Sequence, residues 1–214
     1  DQAPASQEGM DQPEPEAPEI VIRGERFSTG DQEMYYNAEG WTDSDLRELR
    51  HMTNLKTLHL NISASEITDW SPLGELTQLE QLQLVCSSDR AALLEMDLSF
   101  LEGLTELRSL SITVRCSRSA DYLTMIADLS PLAGLKKLQS LSLDGLTDVE
   151  DLSPLAGLTE LETLSLRGAE YDPRAVSYDV IGPVSDLSPL AGLTKLKSLS
   201  LLGLQTAQSL EPLG

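Results

Sequence analysis

His51 and His59 are the only histidines of the 214-residue chain, and Cys86 and Cys116 its only cysteines, so any metal or Cys–His chemistry would have to use them. His51 precedes Met52 in a turn, whereas His59 lies inside a Leu-x-Leu alternation that reads as a strand. On different faces of the chain, the two cannot share one metal ion. The sequence holds no HExxH, CxxC, GxSxG, phosphate loop or dinucleotide fingerprint. Thr42-Asp43-Ser44-Asp45 has the acids of a calcium loop but lacks its glycine and distal Glu, and reads as a helix start before Leu46. Acidic residues are so abundant that a carboxylate pair can be drawn anywhere, and none is assigned. The expectation is a chain that is not an enzyme, with no catalytic residue, metal or cofactor.

The elements that position these residues are written in the 41 leucines. Asp186-Leu187-Ser188-Pro189-Leu190-Ala191-Gly192-Leu193-Thr194 recurs from Asp151 and from Asp128, with weaker copies from Asp97 and Asp69. Each copy opens a frame of apolar positions spaced 3, 3, 3 and 2, as in Leu155, Leu158, Leu161, Leu164 and Leu166. Six such frames exist, the first at Leu49, Met52, Leu55, Leu58 and Leu60, and a degenerate seventh strand falls at Met34-Tyr35-Tyr36. Leu-x-Leu points both leucines inward from a short strand. Asp-Leu-Ser-Pro puts Ser at an N-cap and Pro at the first helical position, and the spacing of three suits a 3₁₀ turn. No single coil can bury its own leucines, so coils must stack.

These phrases resemble the leucine-rich-repeat family, in particular the short bacterial-surface type seen in internalin-like proteins, over roughly residues 34–213. The resemblance implies an α/β solenoid, a right-handed superhelix with a concave parallel β-sheet and short 3₁₀ or helical turns on its convex side. It also implies a protein ligand and a bacterial extracellular or cell-surface-tethered address. The chain departs from the family three residues after the strand, where Asn or Cys is usual. It has Ser63, Ser87, Arg115, Leu146, Ala169 and Leu204 there, so the ascending side should be less regular.

Three domains are expected. Residues 1–19, with Pro4, Pro13, Pro15 and Pro18 among acids and glutamines, read as a disordered stalk. Residues 20–33 read as a hairpin capping the solenoid, and residues 34–214 as about seven coils, the C-terminal one incomplete. The last strand then lacks a cap, which allows an end-to-end homodimer. No apolar run reaches the roughly 18 residues of a membrane span, so no membrane insertion is expected. With 15 basic against 35 acidic residues and a net charge of −20, nucleic acid is not an expected partner.

Strand-to-strand intervals vary: Leu58 to Leu82 is 24 residues, Leu110 to Leu141 is 31, and Leu164 to Leu199 is 35. The step from convex leucine to strand, as in Leu73 to Leu82, stays at nine, so every insertion follows the strand on the ascending side. The inserted segments 85–96, 113–127 and 167–185 carry Arg90, Arg115, Arg118, Tyr122, Arg167, Tyr171, Arg174 and Tyr178. Arg and Tyr are the types enriched at interface hot spots, which makes these candidate ligand-binding residues. The outward strand positions are the other candidate surface, with Tyr35, His59 and Gln83 at its N-terminal end. Cys86 and Cys116 fall in adjacent coils, two residues out of step. Extended strands would hold their Cα atoms roughly 8 Å apart, beyond the ~7 Å reach of a disulfide. Curling loops would close that gap, so both a disulfide and two free thiols stay open.

Overall fold

The computed structural model describes residues 17–63, 67–88, 96–116, 126, 128–146, 149–168, 184 and 186–202. Strands β1 (Glu19–Ile22) and β2 (Glu25–Ser28) form an antiparallel hairpin. Seven further strands form one parallel sheet in strict chain order: β3 (Glu33–Asn37), β4 (Thr57–Ser63), β5 (Gln81–Ser88), β6 (Ser109–Cys116), β7 (Ser140–Leu146), β8 (Thr163–Gly168) and β9 (Ser198–Leu202). A short helix α1 (Asp43–Glu48) and 3₁₀ turns, such as Ser71–Glu75, Leu98–Gly103 and Ser130–Gly134, cross back between strands. This is the leucine-rich-repeat solenoid that the leucine frame predicts. No described helix is long and apolar enough to cross a membrane.

The two inward positions of each strand stack into unbroken rows. Leu58, Leu82, Leu110, Leu141 and Leu164 are register partners, as are Leu60, Leu84, Ile112, Leu143 and Leu166, and all ten are buried. Convex leucines such as Leu73, Leu101, Leu132 and Leu155 close the core from the other side. Each of these side chains contributes about 1.5–3 kcal/mol by leaving water. At the N-terminal end, Ile20 and Ile22 of the hairpin are buried in the same core, and the Arg23 guanidinium donates to the carbonyls of Glu39 (3.0 Å) and Gly40 (2.7 Å). At the other end the cover thins: the inward Leu199 is 36% exposed.

Two local expectations change. The 3₁₀ turns start at Ser itself, with the preceding Leu at the cap position and Pro one residue inside. The capping side chain is the Asp two residues before Ser. Asp128 Oδ1 accepts from the Ser130 backbone N–H at 2.8 Å while Oδ2 accepts from the Ser130 hydroxyl at 2.7 Å. The same pair of bonds recurs at Asp97–Ser99, Asp151–Ser153 and Asp186–Ser188. A carboxylate with two acceptor oxygens satisfies both donors at once, which a serine hydroxyl cannot do for its own N–H.

The second change concerns the missing Asn row. Instead of turning there, β4, β5 and β6 run on, pairing Ile62 with Cys86 and Cys86 with Val114, and Ser63 with Ser87 and Ser87 with Arg115. Backbone groups that an Asn side chain would satisfy bond to the neighbouring strand instead. Ile62, Cys86 and Val114 add a third buried row. In these three strands the start of the ascending side is regular sheet, whereas in β7 the register shifts between Asp144 and Leu146, the irregularity expected.

Candidate ligand-binding surface

The register lines up the outward side chains as strictly as the inward ones. Tyr35, His59, Gln83, Ser111, Ser142, Ser165 and Ser200 form one row across all seven parallel strands. On one side runs Asn37, Asn61, Val85, Thr113, Asp144, Arg167 and Leu202; on the other runs Glu33, Thr57, Gln81, Ser109, Ser140, Thr163 and Ser198. Glu33, Asp144 and Arg167 are the only Asp, Glu, Lys or Arg in these three rows. A chain of net charge −20 therefore presents an almost neutral concave face.

Charge is concentrated elsewhere, on the edge where the chain descends into each strand. There one carbonyl per coil accepts two N–H groups from the next coil: Lys56 from Glu80 and Gln81, Glu80 from Arg108 and Ser109, and Glu162 from Lys197 and Ser198, at 2.8–3.1 Å. This backbone lock stacks Lys56, Glu80, Arg108, Gln139, Glu162 and Lys197 in one line. Glu80 lies 3.7 Å from Lys56 and 3.6 Å from Arg108, and Glu162 lies 2.7 Å from Lys197. A parallel line pairs Glu106 with Lys137 (2.6 Å) and Glu160 with Lys195 (2.7 Å). Sequence reasoning missed both lines. The available signal was alternation of sign at one repeat position in successive coils.

At its N-terminal end the concave face dips into a depression of about 330 Å³ between β3, β4 and β5. Tyr35, Asn37, His59, Asn61, Gln83 and Val85 line it. The Tyr35 ring stands edge-on to the His59 imidazole, centroids 4.6 Å apart at 77°, and remains 62% exposed. Behind it Tyr36 packs against Phe27 (5.4 Å) and Trp41 (5.2 Å), so the hairpin and first coil brace the strand that carries Tyr35. Burial, then the hydrogen-bonded Glu25 carboxylate, pushes the Tyr36 phenol above its ordinary range.

The structure brings Tyr35, His59 and Gln83 together as neighbours in one row. It puts Arg167 on β8, exposed and in register with Asp144, and the Arg115 backbone on β6 opposite Ser87, so neither belongs to a loop. Those two strands continue past the point where the leucine pattern ends, because neighbouring backbone keeps pairing with them. The Arg115 side chain, and Arg90, Arg118, Tyr122, Tyr171, Arg174 and Tyr178, lie outside the described residues. His51 ends a 3₁₀ turn, whereas His59 sits in the outward row of β4, so the two are on different elements. Among the described residues no group of three or more His, Cys, Asp or Glu could hold a metal ion.

Cys86 is a free, buried thiol, and burial pushes its pKa up to about 12. Its register partner is Val114, whereas the Cys116 backbone pairs with Ser88. Both strands are thus extended through the two positions, the arrangement whose two-residue offset holds a disulfide out of reach. The side chain of Cys116 lies outside the described residues.

No family model matches the chain, and no curated protein matches it. Solved structures do. An internalin (inlF) from Listeria monocytogenes is 28% identical, over 73% of this chain and 37% of that one, with a TM-score of 0.50. A second internalin (inlC2) from the same organism is 29% identical, over 83% of this chain and 66% of that one, with a TM-score of 0.53. The chain therefore spans little more than a third of the first internalin and just under two thirds of the second. With a repeat frame that closes into a sequential parallel sheet, and with these likenesses, the chain is an internalin-like leucine-rich-repeat protein.

Proposed function

We propose that the chain is a non-enzymatic protein-binding module of a bacterial surface or secreted protein, presenting long ascending loops and a concave sheet to a protein ligand. The observation that carries this reading is the Tyr35–His59–Gln83 row, an exposed tyrosine beside half-buried His59 and Gln83, on a nearly neutral face of a strongly acidic chain. Desolvating ionised groups is costly, and a face that lacks them is covered cheaply. Tyrosine supplies a large rigid contact at little entropic cost and leads among hot-spot residues. The bacterial address draws on the likeness to two internalins.

The test compares capture from envelope and host extracellular extracts by three forms of the 214-residue chain: intact, Tyr35→Ala/His59→Ala, and Tyr171→Ala/Arg174→Ala/Tyr178→Ala. For a protein captured and identified, the concave variant should weaken Kd about tenfold or more. Binding lost only in the second variant would move the site to the long loop after β8. A chain that captures nothing in any form would instead fit a structural or oligomerisation spacer.

A further inference from the structure

We propose that the depression at the N-terminal end of the concave face is a subsite for a neutral sugar ring. The feature behind this is a juxtaposition of an exposed tyrosine ring and three side-chain amides, with no Asp, Glu, Lys or Arg among the residues lining the depression. Its volume of about 330 Å³ lies at the small end of ligand sites.

A pyranose ring presents two kinds of surface. Its C–H face packs on an aromatic ring, and its rim carries hydroxyls that each donate and accept. Primary amides are the uncharged side chains that offer both functions side by side. Asn37 and Asn61 are register partners on β3 and β4, and Gln83 is the register partner of His59 on β5. Among the described residues, none of the three amides makes a side-chain hydrogen bond. Asn37 and Asn61 are exposed and Gln83 is half-buried, and a ligand hydroxyl replaces water on them without breaking a bond within the protein.

Tyr35 is already set for stacking. Its ring meets the His59 ring at 4.6 Å and 77°, and its hydroxyl lies 3.5 Å from the Glu33 carboxylate, contacts that bias its orientation before binding. Other ligand chemistries fit less well. An anionic glycan finds no cation in the lining and meets a chain of charge −20. An apolar peptide would contact Val85, Tyr36 and Leu60 beside the tyrosine ring but would leave the three amides without partners.

This reading rests on the concave face being the binding face, and the test keeps the two separable. The ¹⁵N-labelled 214-residue chain is titrated with cellobiose, lactose, mannobiose and chitobiose up to about 50 mM, well above a millimolar Kd. At least one sugar should saturably shift the side-chain NH₂ signals of Asn37, Asn61 and Gln83. Tyr35→Ala should weaken that binding at least about fivefold, Asn61→Ala should weaken it too, and Ser165→Ala at the far end of the row should leave it unchanged. Tyr35 and Asn61 are exposed, so both variants should keep the circular dichroism of the parent.

No saturable shift with any of the four sugars overturns the proposal, as do shifts confined to other signals or shifts unaltered by Tyr35→Ala. For a sugar that binds, retention on a neutral polysaccharide column or on a glycoprotein before, but not after, enzymatic deglycosylation tells which source presents it. A captured protein that binds equally well once deglycosylated, yet is lost by Tyr35→Ala, overturns the sugar subsite and leaves the protein-binding reading standing. Sugar binding without any captured protein does the reverse.

Discussion

The Asp128 carboxylate accepts from the Ser130 backbone N–H at 2.8 Å and from its hydroxyl at 2.7 Å, and the same pair of hydrogen bonds closes the turn in coil after coil. The Ser130 hydroxyl and then its N–H hold the Asp128 carboxyl below the usual range, and Ser71 and Ser153 do the same for Asp69 and Asp151. For Asp186 the Ser188 N–H leads and the hydroxyl follows. At Asp43 burial pushes upward, but bonds from Thr68 and Asp69, with Arg47 nearby, outweigh it and lower the carboxyl.

Folded-state values below the unfolded ones mean that these carboxylates stabilise the fold above the unfolded pKa of about 3.9, and that this stability is lost as pH falls through the folded values. Urea midpoints should therefore hold from pH 7 to about pH 5 and drop below about pH 4. Acidification also relieves repulsion within the −20 charge, an opposing effect common to every variant. Comparison with Asp128→Ala separates the two. That variant should lose about 0.5–1 kcal/mol at pH 7 and show a shallower acid limb than the parent.

The Glu162–Lys197 pair, at 2.7 Å with both side chains well exposed, should behave as a screened surface bridge inside an aligned row. Glu162→Lys should cost up to about 1 kcal/mol, and adding Lys197→Glu should recover most of it. Chemical denaturation of the four members of the cycle measures the coupling, which should shrink in 1 M NaCl.

Gly145 sits at φ +101, where β7 shifts register between Asp144 and Leu146, and a Cβ there would lie 2.8 Å from the Val114 carbonyl oxygen. Gly145→Ala should destabilise by about 1–3 kcal/mol. Gly134, with nothing within 4 Å of its added Cβ, is the control: Gly134→Ala should be neutral or stabilise by up to about 1 kcal/mol. Thermal and urea unfolding of the two variants side by side decide it.

The buried Cys86 thiol, pushed up to about 12, stays protonated at pH 8 and should resist a thiol reagent in the native protein. Unfolding in denaturant without reductant should release it. Two reactive thiols per chain are expected, because Cys86 and Cys116 pair with Val114 and Ser88 instead of with each other. A count near zero would mean that the pair is bridged.

The sequence by itself determined the repeat frame, the inward rows and the membership of the outward row. Each follows from local spacing: Leu-x-Leu has the period of a strand, and the constant step of nine from convex leucine to strand fixes the phase of every coil whatever loop length precedes it. Tyr35, His59 and Gln83 could be aligned on that basis alone. What only the tertiary structure decided depends on contacts between coils 23 to 35 residues apart, where no local pattern speaks. Strands β4, β5 and β6 ran on through the absent Asn row because the neighbouring backbone supplied their hydrogen bonds, and this put Arg115 on the sheet. Asp took the cap from Ser because its carboxylate reaches two donors in the folded turn. Glu106 found Lys137, and Glu162 found Lys197, only once each coil's carbonyl had locked the next in register.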